Sequence, residues 1–334
     1  MSVSASRPNS HDVARAAGVS QSTVSYALSG KGTIAPRTRE RVLAVAAELG
    51  YRPNLAARSM RTRRSGRVAV VTSTAAEVRM SMLSGAAEAA VEAGYAVDTH
   101  SVSGAAQDRT DRVVELARSG QVEGVLTFLP VVPDGLTTDD GAAPVVAVTA
   151  LDERMRSTGE LADASLLADV IAALVDARHR RFLHVGGPAD FASARARRDV
   201  YVAETGRHDD VESLGEIVGT WSPESGREAI LALPDDAPPL AVIAANDHIA
   251  LGVMRGASER GWQVPGDVVV TGWDGATFGA YTTPALTTIT VDFREAGARA
   301  MRRLIAAIRD EPAPTPAAPL QQILWRESTG PARS

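Results

Sequence analysis

Cysteine is absent from the 334 residues of this chain. Its absence excludes disulfide bonds, thiol catalysis and cysteine-ligated zinc. The chain also lacks any stretch near the roughly 20 apolar residues that a membrane helix needs. Its first eighteen residues lack the continuous apolar core of a secretory signal. We therefore expect a soluble, cytoplasmic protein without a membrane partner.

Arrangements typical of an enzyme are missing as well. The six histidines show no HxxxH or other familiar metal-ligand spacing, and segment 186–188 lacks the full GxGxxG pattern of a dinucleotide-binding loop. The sequence therefore predicts no catalysis, no metal and no cofactor. We expect most of the histidines to lie at the surface or to cap helices: His11, His100, His179, His184, His208 and His248.

Charge is distributed unevenly along the chain, which is long enough for two or three domains. Residues 1–66 hold eleven Arg or Lys and three Asp or Glu, a net charge of +8, so the remainder carries −13 of the total of −5. A basic segment attracts phosphates, and an acidic body is repelled by them. This asymmetry favours a DNA-binding N-terminal segment; the alternative is a basic disordered tail.

The basic segment has the pattern of three short helices, which argues against a disordered tail. The predicted helices span 11–17, 21–28 and 36 to about 49, with Ser10 and Ser20 as N-caps of the first two. We expect their inward residues to be apolar residues at helical spacing: Val13, Ala16, Ala17, Val24, Leu28, Val42, Val45 and Leu49. Such a module is a helix-turn-helix whose second helix can lie in a major groove.

Motifs in both parts of the chain point to one family. Residues 10–61 resemble the headpiece of the lac/gal repressor family of bacterial regulators, through DVARAAGVSQSTVSYAL, TRERVLAVAAELGYRPN and ARSMR. The later motifs HRRFLHVGGP, SARARR, AANDHIALGVM, VPGDVVVTGWD and PALTTITVDF are similar to the core of these regulators, which itself resembles periplasmic sugar-binding proteins. The resemblance implies a nucleoid-associated transcriptional repressor controlled by a small-molecule effector.

The resemblance assigns DNA-reading roles to the second helix. By position, Gln21, Ser22 and Tyr26 read base edges, and a glutamine amide suits adenine. Relatives often carry Arg at the position of Tyr26, so the operator should differ at that base pair; the alternative is that Tyr26 packs between helices. Residues predicted to contact phosphates, which position without specifying, are Ser20, Thr23, Ser25, Arg37 and Arg39.

The segment from Asn54 to Arg61 resembles the family's hinge helix. It is about two turns long, so its ordering should need DNA and a partner chain. The implied minor-groove residues are Asn54, Ala57 and Met60, and Met60 stands where relatives insert a Leu pair that kinks the duplex. The alternative places Met60 inside a packed linker. A paired wedge implies a homodimer on double-stranded, pseudo-palindromic operator DNA.

Beyond Gly66, short apolar runs alternate with helical stretches, and the rhythm restarts once. This pattern predicts an α/β core of two doubly wound parallel-sheet lobes, which are periplasmic-binding-protein-like by the resemblance. The predicted domains are the helix-turn-helix at 1–52, the hinge helix and linker at 53–66, the core N-lobe at 67–162 plus 292–318, and the core C-lobe at 163–291 plus 319–334. Three crossings between the lobes would act as hinges.

Ligands in such sheets bind outside the carboxyl ends of the strands. The effector residues implied by the resemblance are Ser73, Thr149, Arg197, Trp221, Asn246, Asp247 and Asp274. Arg197 would hold paired hydroxyls or a carboxylate, and Trp221 would stack on a sugar ring. Three alternatives stay open: Asp247 only caps its helix, Arg197 pairs with a surface carboxylate, or Trp221 belongs to the core.

The N-lobe half of this site departs from the family. Thr149 replaces a common Asp, Ala164 replaces an Asn, Val291 replaces a polar residue, and the loop from Ser73 contains no aromatic residue. The first hypothesis for the effector is a sugar or sugar derivative; alternatives are a smaller or more apolar effector, or weak binding. A further alternative is a periplasmic-type binding protein without a DNA role. Such a protein would not need a basic headpiece. The sequence leaves open whether the effector releases or promotes DNA binding.

Overall fold

The chain folds into two compact units, Met1–Ser65 and Gly66–Ser334. The computed structural model describes residues 8–29, 34–51, 64–72, 77–129, 131–132, 136, 141–148, 150–151, 157–158, 163–189, 191–315 and 318–330. None of the helices in these ranges combines the length and the apolar character that a membrane span requires. We call the two units the N-terminal unit and the C-terminal unit.

The N-terminal unit contains the three predicted helices. They are α1 (Ser10–Ala17), α2 (Gln21–Ser29) and α3 (Pro36–Glu48). Gly18 ends α1 in the left-handed conformation at φ 63°, and Gly50 follows α3 at φ 62°. Glycine adopts this conformation without the steric cost that a Cβ imposes. The predicted helix-turn-helix is therefore confirmed.

The N-cap of α1 differs from the prediction by one residue. Asn9, not Ser10, caps the helix: Asn9 Oδ1 accepts hydrogen bonds from His11 N at 2.8 Å and from Asp12 N at 3.3 Å. Asp12 Oδ2 accepts one from Asn9 N at 3.0 Å in return. This reciprocal pair satisfies three backbone donors, so it wins over a single serine hydroxyl. Ser10 becomes the first residue of the helix.

Small apolar residues form the centre of the N-terminal unit. The buried residues are Val13, Ala14, Ala17, Val24, Ala27, Val42 and Ala46. Leu28 and Val45 pack against them and are half-buried. Two predicted inward residues are exposed, since Ala14 takes the inward position expected for Ala16, and Leu49 lies beyond the last turn of α3. Alanines at the crossings allow three short helices to approach closely.

The first sheet of the C-terminal unit is parallel, with strand order β2-β1-β3-β4 among the described residues. Its strands are β1 (Arg67–Thr72), β2 (Ala96–Ser101), β3 (Val125–Thr127) and β4 (Val145–Ala147). The helices that connect the first three strands are α4 (Glu77–Glu92) and α5 (Ala106–Arg118). A short antiparallel pair, β5 (Ala150–Leu151) and β6 (Ser157–Thr158), follows.

The second sheet has strand order β12-β11-β10-β9-β7-β8 in the described part of the chain. Its strands are β7 (Arg181–Gly186), β8 (Glu212–Val218), β9 (Leu240–Ala244), β10 (Val268–Asp274), β11 (Thr287–Val291) and β12 (Gln321–Leu324). Its helices are α6 (Leu166–Asp176), α7 (Ala192–Thr205), α8 (Pro223–Leu231) and α9 (Asp247–Glu259). Neighbouring strands are parallel except β12, which pairs antiparallel with β11.

One late helix returns to the first sheet. Helix α10 (Phe293–Arg309) packs against α4, β3 and β4, although it follows β11 of the second sheet. Its Gly297 lies so close to α4 that a Cβ there would come within 2.0 Å of Met82 O. The two sheets, whose strands are parallel apart from β12, confirm the predicted fold class. The four predicted domain boundaries stay a prediction.

His184 is an exception to the expectation that most of the histidines lie at the surface or cap helices. It is fully buried on β7, its Nδ1 lies 2.8 Å from Ile243 O, and its ring stacks on Tyr201 at 5.3 Å. Because a carbonyl only accepts, Nδ1 carries the hydrogen. Burial lowers the pKa of His184 to about 4, so the ring is a neutral core residue at pH 7.

Candidate functional site

The outer face of α2 is polar and accessible. Gln21, Ser22, Ser25 and Tyr26 are exposed, and 52% of the Tyr26 surface is accessible. The opposite face of the helix is buried in the core of the N-terminal unit. This exposure argues against packing of Tyr26 between helices, and its base-reading role stays a prediction. A two-turn polar face of this kind can enter a major groove.

Hydroxyl groups hold the start of α2. Ser20 Oγ accepts a hydrogen bond from Thr23 N at 3.1 Å, as expected for the cap of the second helix. It also lies 2.7 Å from Ser22 Oγ and 2.8 Å from Thr23 Oγ1. The hydroxyl of Ser22 is thus already oriented by Ser20 when no DNA is bound to the outer face of α2.

Gln21 is attached to the neighbouring helix. Its Nε2 donates a hydrogen bond of 2.8 Å to Ser10 Oγ on α1. Two arginines lie on the first turns of α3, where Arg37 is exposed and Arg39 is half-buried. Contacts of these two side chains with phosphates stay a prediction.

Several predicted residues fall outside the described part of the chain. They are the hinge residues Asn54, Ala57 and Met60 and the N-lobe effector residues Ser73 and Thr149. Their roles stay predictions.

The remaining effector residues come together in the C-terminal unit, where we call them the strand-end cluster: Arg197, Trp221, Asn246, Asp247 and Asp274. They follow or face the carboxyl ends of β8, β9 and β10, and Arg197 reaches them from α7. Parallel neighbouring strands end at the same edge of a sheet, so residues far apart in sequence meet there.

Arg197 is the centre of the cluster. It is 7% exposed, its Nη1 donates to Ala245 O, and its Nη2 lies 3.4 Å from Asp274 Oδ1. The guanidinium carbon is 4.3 Å from the centroid of the Trp273 ring and 5.9 Å from that of Trp221. The partner of Arg197 is therefore a half-buried carboxylate at the strand ends rather than an exposed surface one.

Burial and charge act in opposite directions on this pair. Burial lowers the pKa of Arg197 and raises the pKa of Asp274, and each group partly offsets the shift of the other. Asp274 also has φ 98°, a left-handed conformation that is costly for a residue with a Cβ. Strain held by surrounding contacts is typical of ligand-binding sites.

Asp247 is the fully buried member of the cluster. Its Oδ1 accepts from Thr288 Oγ1 at 2.6 Å and its Oδ2 from Ala276 N at 2.6 Å. Burial raises its pKa to about 7. The alternative that Asp247 caps α9 is wrong, because Asn246 Oδ1 accepts the hydrogen bond from Ile249 N at 2.8 Å. With both oxygens occupied, Asp247 supports the turn after Asp274.

Trp221 is half-buried and packs against the apolar core below it. Its ring meets the ring of Phe191 edge-on, with centroids 5.6 Å apart. Gly187 lies under the indole, and a Cβ there would come within 2.4 Å of Trp221 Cη2. Phe191 is 42% exposed and was missed by sequence reasoning. An aromatic residue just beyond the Gly-Gly-Pro turn that follows β7 was the signal that could have found it.

Among the described residues, no group of three or more His, Asp or Glu side chains could hold a metal ion. The strand-end cluster holds one guanidinium, one amide, two carboxylates and one indole ring. These groups can hydrogen-bond to and stack on a polar ring, and the effector role of the cluster stays a prediction.

Two family models match separate parts of the chain. The model for bacterial regulatory proteins of the lacI family matches residues 11–54, and that for a periplasmic binding protein-like domain matches residues 171–329. These ranges contain α2 and the strand-end cluster, respectively.

Whole-chain relatives are transcriptional regulators. The chain is 28% identical over 331 residues to catabolite control protein A of Priestia megaterium, covering 96% of this chain and 98% of that protein. It is 29% identical over 308 residues to the lactose operon repressor of Escherichia coli (strain K12), covering 88% of this chain and 83% of that repressor. These relatives are regulators rather than enzymes, in agreement with the sequence-based expectation.

The fold also matches a solved complex. A crystal structure of the lac repressor dimer bound to operator and the anti-inducer ONPF aligns with a TM-score of 0.83 and 26% identity. The alignment covers 98% of this chain and 100% of the repressor chain.

Proposed function

We infer that this chain is a regulator of the lacI family, as the two family models, the whole-chain relatives and the fold match support. It represses transcription from a pseudo-palindromic operator as a homodimer. A small molecule in the cleft between the two core lobes controls it. Such a regulator acts where the DNA lies, so we infer a cytoplasmic, nucleoid-associated location.

The accessible polar face of α2 carries the DNA-binding part of the proposal. Gln21, Ser22 and Tyr26 are exposed on this face and can reach base edges. Ser20, Thr23 and Ser25 are proposed to contact phosphates, and so are Arg37 and Arg39 on α3. One short helix reads few base pairs, so a second copy related by a two-fold axis would double the number of base contacts. The lac repressor dimer bound to operator supports this assembly by analogy.

The hinge proposal rests on sequence alone. Met60 would act as a wedge at the operator centre, with Asn54 and Ala57 beside the minor groove. Operator bending measured with Met60→Ala tests it. Unchanged bending and affinity would rule out the wedge.

The strand-end cluster carries the effector part of the proposal. Arg197 and Asp274 offer a donor fork and an acceptor, and Trp221 with Phe191 offers an apolar surface. Hydroxyl groups on a ring with one apolar face match this combination. We therefore keep a sugar or sugar derivative as the effector class, with Ser73 and Thr149 as the predicted contacts from the other lobe. Asp247 is proposed to support Asp274 rather than to touch the ligand.

Control follows if the ligand favours one arrangement of the two lobes. The proposed N-lobe holds 67–162 plus 292–318, and the proposed C-lobe holds 163–291 plus 319–334. A ligand bound more tightly in one arrangement shifts the population toward it. The preceding domain and linker, 1–52 and 53–66, would transmit the shift to DNA.

Genomic footprinting of the purified full-length chain tests the proposal. We expect protected sites with two-fold related half-sites, and the neighbouring genes then supply candidate effectors for calorimetry. A chain that protects no discrete site, with these candidates present or absent, is not a repressor of this kind. If only non-sugar compounds bind, the effector class is wrong and the DNA-binding part stands.

A further inference from the structure

A side-chain hydrogen bond joins the first two helices of the N-terminal unit. Gln21 Nε2 donates to Ser10 Oγ at 2.8 Å, across eleven positions of sequence. Ser10 is half-buried in α1, and Gln21 is exposed on the outer face of α2. The bond therefore ties a residue of the proposed DNA-reading face to a residue of a different helix.

Ser10 occupies a fixed position. It is the first residue of α1, directly after Asn9 in the reciprocal cap with Asp12. That cap fixes the backbone on both sides of Ser10, since Asn9 Oδ1 accepts from His11 N as well as from Asp12 N. The Ser10 hydroxyl is thus held by the helix, whereas Gln21 without it would rotate about several side-chain bonds.

The geometry points to Ser10 as a positioning residue that fixes the amide of Gln21 for recognition of an adenine. A bidentate contact to adenine needs one amide hydrogen for N7 and the amide oxygen for the N6 amino group. Gln21 Nε2 has two hydrogens, and one is used by Ser10. The other hydrogen and Oε1 remain, and they are the donor and the acceptor that adenine requires.

This inference rests on the proposed function, because it assumes that Gln21 faces a base. It adds a residue that touches no base itself. Fixing the amide before binding removes part of the cost of ordering a long side chain, which amounts to about two- to tenfold in affinity. It also sets which end of the amide faces each part of the base, so the benefit is specific to one base pair.

Two other roles for Ser10 make different predictions. A direct bond from its hydroxyl to a phosphate would strengthen binding to every sequence alike. A purely structural bond between α1 and α2 would change the stability of the N-terminal unit and leave sequence preference unchanged. Positioning of Gln21 alone changes preference at one base pair, and its effect disappears when Gln21 is absent.

The test uses the full-length chain and a pool of duplexes with randomised half-sites. Wild type, Ser10→Ala, Ser10→Thr, Gln21→Ala and the double variant Ser10→Ala/Gln21→Ala are compared by sequencing of the bound DNA. Binding constants are then measured on the preferred duplex and on its single-base variants. Ser84→Ala, which removes an exposed serine of the C-terminal unit, is the matched control, and thermal unfolding followed by circular dichroism reports the fold of each variant.

We expect Ser10→Ala to reduce discrimination for adenine at one base pair of each half-site by about two- to tenfold. Ser10→Thr keeps the hydroxyl and should restore it. In the Gln21→Ala background, Ser10→Ala should change nothing further. The Ser84 variant should behave as wild type.

Equal weakening on all duplexes, or an effect of Ser10→Ala that persists without Gln21, would overturn the inference. So would a loss of thermal stability with unchanged preference. Failure of the proposed function is a separate result, since wild type itself would then enrich no sequence.

Discussion

Thr288 Oγ1 donates a hydrogen bond of 2.6 Å to Asp247 Oδ1, which joins β11 to the first turn of α9 inside the C-terminal unit. The other carboxylate oxygen accepts from Ala276 N, two residues beyond Asp274. Gly272 leaves the space for this carboxylate, because a Cβ there would come within 2.1 Å of Asp247 Oδ1. One buried acid therefore holds the turn that presents Asp274.

Asp247 should make stability depend on pH. Burial raises its pKa from the ordinary 3.8 to about 7 in the folded chain, so the folded state binds the proton more tightly than the unfolded state. The stabilisation is complete below pH 4 and is lost as the pH rises to about 7, at a cost on the order of 4 kcal/mol.

Asp247→Asn removes this titration and keeps the contacts, since its amide can donate to Thr288 Oγ1 and accept from Ala276 N. Chemical denaturation from pH 4 to 8 should show the variant gaining stability relative to wild type as the pH rises. Asp209→Asn, at an exposed carboxylate, is the control. A stability difference that stays constant over this range would contradict the role of Asp247.

Gly187→Ala should displace the Trp221 ring. The new Cβ would lie 2.4 Å from Trp221 Cη2, so the indole must move. We expect a shift in tryptophan emission and a loss of effector affinity of about tenfold or more, about 1.4 kcal/mol. Gly279→Ala is the control, because its nearest contact would be an ordinary 3.5 Å. If calorimetry shows that Gly187→Ala binds the effector with wild-type affinity, Trp221 does not belong to the binding site.

Arg197→Lys should distinguish the contribution of the planar guanidinium geometry from that of the positive charge. Lysine retains the charge but cannot donate to Ala245 O and Asp274 in the same planar geometry. We expect a loss of about 1–3 kcal/mol in the free energy of unfolding and weaker effector binding. Denaturant unfolding and calorimetry measure the two effects, with Arg195→Lys on the same helix as control. If Lys supports full stability and binding, charge alone is what the site needs.

Tyr26→Arg should change the operator. The side chain is 52% exposed, so the substitution leaves the core intact. Arginine can form a bidentate contact to guanine, worth about 1–3 kcal/mol of discrimination, so selected half-sites should gain a guanine at one position. Leu43→Arg, which adds the same charge to an exposed position of α3, should leave the selected sequence unchanged. Identical half-sites for wild type and Tyr26→Arg would show that this residue reads no base.

The local sequence pattern predicted the helices of the N-terminal unit and the strands of the C-terminal unit. Spacing and turn glycines identified α1, α2 and α3, and apolar runs identified the parallel strands. The resemblance supplied Arg197 and Asp274, which the fold brings together from α7 and β10.

One failure has a local cause and the others have tertiary causes. Asn9 caps α1 because the side chain of Asp12, three residues later, accepts a hydrogen bond from Asn9 N in return. His184 is buried because α7 packs on β7 through Tyr201. The residues around His184 in the sequence do not show this packing. Asp247 is enclosed by Thr288 and Ala276 from later elements. The ring of Phe191 meets that of Trp221, thirty residues further along the chain, and this contact is not visible in the local sequence.

Reciprocal linkage is the most direct test of a ligand-controlled repressor. A labelled operator, taken from the footprinted sites, is titrated with full-length chain in the absence and presence of the ligand identified by calorimetry, and the ligand is titrated with and without operator. The account predicts that ligand changes the Kd for operator, that operator changes the Kd for ligand by the same factor, and that Arg197→Lys weakens the ligand arm of this cycle. Operator affinity that is identical with and without a saturating ligand would contradict it.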